Sequence, residues 1–170
     1  MSLERVESVG FRGINRLSLL LEQNNVLIGE NAWGKSSLLD ALTLLLSPET
    51  DLYHFVREDF WFPPGDVQGR EHHLHIILTF RESEPGRYRV RRYRPLAECW
   101  VPGNDGYHRL FYRHEGELSE DGSVMTLRGF LDQQGELLDL PDIDESARHL
   151  VRLMPVLRLR DARFMRRIRN

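Results

Sequence analysis

The chain is almost devoid of lysine: its 23 basic residues are one lysine, Lys35, and 22 arginines. It has a single cysteine, Cys99, which excludes an internal disulfide and agrees with a reducing compartment. No stretch approaches the roughly 18 apolar residues of a membrane helix. Even the leucine-rich run 38–46 is broken by Asp40 and Thr43. The opening "MSLERVESVGF" lacks the basic n-region and apolar h-region of a signal peptide. These absences lead us to expect a cytoplasmic protein with no membrane partner.

The remaining composition is that of an ordinary globular domain. The 170 residues are 41% hydrophobic and 29% charged, enough for one domain burying roughly 70% of its unfolded surface. The net charge of -3 points to neither a nucleic-acid binder nor a membrane-surface protein. It conceals two basic segments, "RYRVRRYR" at 87–94 and the eight arginines between 148 and 170. Each is either a solvated face or a phosphate-contacting surface.

Periodicity gives the organisation. Val6, Val9 and Phe11 mark a first strand, and Leu17, Leu19 and Leu21 alternate in a second. The short apolar run 26–28, ending at Gly29, reads as a buried central strand. Leu38, Ala41, Leu42, Leu45 and Leu46 then recur at helical spacing until Ser47-Pro48. The aromatic stretch 51–62 suggests a short helix, followed by a Pro- and Gly-rich loop. From 72 onward the pattern is a strand meander: Leu74, Ile76, Leu78 and Phe80 share a face, and Tyr88 and Val90 continue it. Turns fall at 102–106, 120–123 and 133–135. A helix over about 145–154 and an alternating strand "VLRLRD" close the chain.

Gly29, Gly34, Lys35 and Ser36 fit G-x-x-x-x-G-K-[ST], a pattern expected by chance in roughly one chain in two hundred of this length. A strand before it and an apolar helix after it are the context its mechanics require. The glycines let backbone N–H groups close around an anion at a helix N-terminus. Lys35 then supplies a compact, mobile ammonium for the β- and γ-phosphates, and the Ser36 hydroxyl a ligand for Mg²⁺. Arginine's rigid fork cannot replace a point charge curled over a phosphate chain, which explains why the one lysine stands here. Guanine-reading GTPases need a second lysine in an Asn/Thr-Lys-x-Asp segment, so the expected cofactors are ATP and Mg²⁺.

The N-terminal strands, "FRGI" at 11–14 and "VLIGENAWGKSSLLDAL" at 26–42 resemble the ATP-binding cassette heads of SMC and RecF proteins. The likeness is greatest to the OLD (overcoming lysogenization defect) family of ATP-dependent endonucleases. "GFRGINRLSL", "DLYHFVREDFWFPPGDV" and "GREHHLHIILTFRE" are similar to its YbjD-type subgroup. The resemblance implies an α/β P-loop NTPase fold, an ABC-ATPase-like lobe with a mixed sheet and an antiparallel β-meander. Residues 1–170 are then the N-terminal part of an ABC-type ATPase domain, whose second lobe and Toprim nuclease domain are not in this chain. The nucleotide-binding residues it implies are Gly29, Glu30, Asn31, Ala32, Trp33, Gly34, Lys35, Ser36 and Ser37, with Arg12 after the first strand and Ser36 as the metal ligand. The implied partners are ATP, DNA through the full-length protein, and a second ATPase head in a homodimer or higher oligomer. An SMC- or RecF-like DNA-repair head without nuclease activity is the other reading, and a small P-loop kinase fits less well because of the meander.

Several catalytic parts have no match. No strand ends in the Asp-Glu of a Walker B motif, and no Leu-Ser-Gly-Gly signature occurs. "DIDE" at 142–145 has the Asp-x-Asp spacing of a Toprim site, but before a helix it reads as a cap and first-turn acids. No catalytic residue is therefore assigned. Asp59 in "REDF" matches an acidic position of the subgroup and is expected on the surface. His72, His73 and His75 lack a further ligand to complete a zinc site.

Overall fold

A computed structural model describes residues 1–28, 34–49, 51–66 and 70–156. Six strands form one sheet: β1 (Ser2–Phe11), β2 (Ile14–Leu20), β3 (His72–Arg81), β4 (Val101–Pro102), β5 (His108–Leu118) and β6 (Val124–Leu131). Its order is β2-β1-β3-β5, with β4 and β6 sharing the far edge of β5. Every pair is antiparallel. Two helices, α1 (Lys35–Leu45) and α2 (Ile143–Leu153), complete the regular structure.

Strand periodicity fixes which face is buried. Val6, Leu78 and Tyr112 lie side by side across β1, β3 and β5, as do Ser8, Ile76 and His114, and all are buried. The opposite face carries Arg5, Glu7, His75, Arg113 and Glu115 at half-exposed positions, the alternation of a sheet solvated on one side. Leu38, Ala41 and Leu45 of α1 join Ala147, Leu150 and Val151 of α2 in the same hydrophobic core as the buried strand residues. The Val156 N–H, just past α2, donates to the Leu46 carbonyl at the end of α1 (2.9 Å). Asp142 caps α2 by accepting from the Glu145 N–H (2.9 Å), so the acids of "DIDE" serve the helix.

Four local expectations fail. Residues 26–28 form no strand; Val26 and Ile28 are 84% and 89% exposed. A buried parallel strand needs a neighbour on each side, and both edges of β1 are taken by β2 and β3. The sheet among the described residues is consequently antiparallel throughout rather than mixed. The helix expected within 51–62 contracts to one 3₁₀ turn, Arg57–Asp59, and residues 87–99 form 3₁₀ segments where alternation suggested a strand. The segment "GELLDL" at 135–140, which the turn at 133–135 would make a strand, adds only one bridge, Leu131 to Leu137. From residue 157, the strand "VLRLRD" and the arginine-rich end lie outside the described residues.

Below the central strands sits a polar network. The His114 Nε2–H donates to the Tyr53 carbonyl (2.9 Å), while its Nδ1 has no partner among the described residues. Arg128 donates to the same carbonyl (3.1 Å) and pairs with Asp144 on α2 (2.9 Å). Burial, then the Arg128 charge, push His114 down to about 3. An unfolded histidine titrates near 6.5, so below that pH the unfolded chain binds the extra proton. Stability is present above about pH 6.5 and is lost as pH falls towards 3. Between pH 6.5 and 4.5 the loss is about 2 kcal/mol. Urea titrations across this range should show it, and His114→Gln should flatten the slope; an unaltered slope in the variant rejects the assignment.

Candidate functional site

The N-terminus of α1 faces the turn between β1 and β2. Gly34, the cap of α1, has φ 80°, in the left-handed region that glycine adopts at low cost. A Cβ on Gly34 would fall 2.9 Å from Ile14 Cγ1, so the position is closed to side chains by packing as well. The first intrahelical bond runs from the Leu38 N–H to the Gly34 carbonyl (2.9 Å). The N–H groups of Lys35, Ser36 and Ser37 precede it. Among the described residues no side chain caps this end, and no acid lies in the first turn. The positive end of the helix dipole therefore has no anionic side chain of its own turn against it.

The described candidates divide between this end and its support. Lys35 is the first helical residue and is half-buried, while Ser36 is exposed. The Ser37 hydroxyl accepts from the Gly13 N–H (3.2 Å), which fastens the first turn of α1 to the β1–β2 turn. Arg12, in that turn, has φ 47°, an unusual conformation for a residue with a Cβ. Its Nε and Nη2 donate to Asp59 Oδ1 (3.0 and 2.9 Å), and its Nη1 to Asp40 Oδ2 on α1 (2.8 Å). The guanidinium thus uses three of its five donors on two carboxylates, and the side chain remains 31% exposed. Gly29, Glu30, Asn31, Ala32 and Trp33 lie outside the described residues.

Asp59 is not the surface acid the sequence suggests; its exposure is 0%. Besides Arg12 it accepts from the Tyr53 hydroxyl (2.8 Å) and the Val56 N–H (3.0 Å) through Oδ2. Its carbonyl accepts from the Arg12 N–H (2.7 Å), and Trp61 N–H donates to Gly10 (2.8 Å). Burial, then the hydrogen bond to Asp59, push the Tyr53 phenol up to about 12, so it remains a donor across the physiological range. The available signal was the acidic pair Glu58-Asp59 inside "YHFVREDFWF": among so many aromatics one of the two goes into the core, where it requires partners, while Glu58 stays exposed.

Chemically, this end of α1 offers backbone N–H groups, a cation and a hydroxyl to an anion. Among the described residues no group of three or more His, Cys, Asp or Glu is placed to hold a metal. Of the histidines, His72 pairs with Asp66 (2.8 Å) and His73 lies 4.0 Å from Glu117. Any cation here would depend on the Ser36 hydroxyl and the ligand's own oxygens.

A family model described as "Protein of unknown function (DUF2813)" matches residues 1–170. The "Uncharacterized protein YbjD" of Escherichia coli (strain K12) is 82% identical over 170 residues, covering 100% of this chain and 31% of that protein. The chain therefore spans about a third of that relative's length. A solved chain described as "Structural biochemistry of ATP-driven dimerization and DNA stimulated activation of SMC ATPases" matches with a TM-score of 0.54 and 12% identity. That match covers 100% of this chain and 92% of that one, a likeness of fold. Among the described residues no helix is long and apolar enough to cross a membrane.

Removing Asp59 strips the clamp of its acceptor and leaves Arg12, the Tyr53 hydroxyl and the Val56 N–H without their bonds. Asp59→Ala should destabilise the protein by about 3 kcal/mol, read by urea denaturation. A loss below about 1 kcal/mol would mean the carboxylate is replaceable by water.

Proposed function

The chain belongs to the DUF2813 family, and on that footing we propose that it is the ATP-binding N-terminal portion of an OLD-type ATP-dependent DNA endonuclease, with Mg-ATP held at the start of α1. The observation that carries the reading is the α1 N-terminus. Among the described residues it has no side-chain cap and no acid in its first turn, begins at a left-handed glycine followed by the chain's one lysine, and is braced by the β1–β2 turn. Such an end attracts a polyphosphate through N–H groups and dipole together. Lys35 would neutralise the β- and γ-phosphates, and Ser36 would take Mg²⁺, with the phosphates supplying further oxygens. Gly29 to Trp33 would complete the loop. Arg12, with two donors unpaired among the described residues and its side chain partly exposed, would face the same ligand.

Phosphoryl transfer depends on positioning and on charges that arrive from several elements. No Walker B acid or signature segment is legible here, so residues 1–170 bind nucleotide without turning it over. The rest of a full-length protein like the relative would supply those parts, a Toprim nuclease and the contacts that pair two heads on DNA. A cytoplasmic location follows from an ATP ligand and a lone buried cysteine. The fold likeness to an SMC ATPase supports a second reading, a DNA-repair head without nuclease. A long heptad pattern in the remainder would favour it over a Toprim segment.

Calorimetric titration of the full-length protein with Mg-ATP tests the site. Lys35→Ala should weaken uptake at least about tenfold, or about 1.4 kcal/mol, and GTP should bind more weakly than ATP. Uptake that survives Lys35→Ala unchanged refutes the reading.

A further inference from the structure

The arginine run beyond β3 is organised by a period of three. Residues 87–99 are 3₁₀ segments, Arg87–Arg89 and Arg91–Cys99 with a kink at Leu96, and in a 3₁₀ helix side chains at i and i+3 align. Tyr93, Leu96 and Cys99 form the buried row. Within Arg91–Cys99, Arg91 and Arg94 therefore share a second row and Arg92 starts the third, while Arg89 lies in the preceding turn, across the extended Val90. All four arginines are exposed. Tyr88, Arg89, Arg91, Arg94 and Ala97 line an open concavity of about 510 Å³.

The segment is rigidly mounted. The buried Glu82 carboxylate accepts from the Tyr88 N–H (2.9 Å) and the His108 N–H (2.6 Å). The Tyr93 hydroxyl meets the N-terminal amine (3.1 Å), and Trp100 packs against both tyrosines. Few of the charges are neutralised. Arg87 lies 3.7 Å from Glu84, but Arg89, Arg91, Arg92 and Arg94 form no ion pair with a carboxylate among the described residues.

We propose that these exposed arginine rows bind the phosphate backbone of duplex DNA. Guanidinium forks match phosphate oxygens bidentately. Arg91 and Arg94, one 3₁₀ turn apart, are separated by roughly 6 Å along the segment, of the order of the distance between successive phosphates on one strand. Single-strand binding needs aromatic faces on which bases stack. Tyr88 instead stacks on His108 at 3.8 Å and carries Arg89 against its ring, and Tyr93 is buried. The patch follows the end of β3 opposite the β1–β2 turn, roughly 30 Å along a ten-residue strand, so it is a site separate from the start of α1. It rests on the proposed function only in the choice of DNA over duplex RNA, and the two fail separately.

The test is fluorescence anisotropy of a labelled duplex of about two helical turns with full-length protein, between about 50 and 200 mM salt. Arg91→Gln with Arg94→Gln should weaken binding about tenfold and lower the salt slope by about 2, while Mg-ATP uptake stays unchanged. Arg91→Lys with Arg94→Lys should keep most of the slope. An unchanged affinity in the double glutamine variant, as an acidic-protein partner would give, overturns the proposal. So does tighter binding of the matching single strand.

Discussion

Asp59 is the point through which the rest of this structure is tied together. A fully buried carboxylate is tolerated only when its oxygens are satisfied, and here Arg12, Tyr53 and Val56 supply four hydrogen bonds. Arg12 extends the clamp to Asp40 on α1. The Tyr53 carbonyl extends it the other way, to His114 on β5 and, through Arg128, to Asp144 on α2. Irregular chain between α1 and β3 thus connects both helices with the sheet. The unusual backbone of Arg12 persists because its surroundings over-determine it.

The antiparallel sheet separates two kinds of surface. At one end, the β1–β2 turn braces the start of α1, where no described side chain caps the helix. At the other, the chain leaves β3 into a rigid 3₁₀ segment whose exposed rows are arginine. On the two proposals both ends would take phosphate, but by different means. A helix N-terminus with one mobile ammonium fits a compact polyphosphate, whereas fixed guanidinium rows suit an extended backbone.

Most of the sheet was legible because antiparallel strands with one solvated face alternate strictly. The faces of β3 and the turns at 102–106 and 120–123 can be read directly from residue order. So could α1, whose leucines recur at helical spacing, and the cap of α2. The run 87–94 misled for a specific reason: in so short a stretch Tyr88 and Val90 alternate as a strand would, while the period of three emerges only with Tyr93, Leu96 and Cys99. Residues 26–28 misled because apolarity marks a segment that seeks burial without saying whether neighbours exist to bury it.

By itself the sequence determined the phosphate-loop pattern, its one lysine, the alternating strands and the amphipathic helices, since these depend on neighbours a few residues apart. Only the tertiary structure decided that Asp59 is a buried clamp for Arg12, 47 residues away, and that the arginines of 87–94 stand exposed on 3₁₀ segments. Both outcomes turn on which side chains the folded core removes from water, and that is settled by packing across the whole sheet rather than by local order.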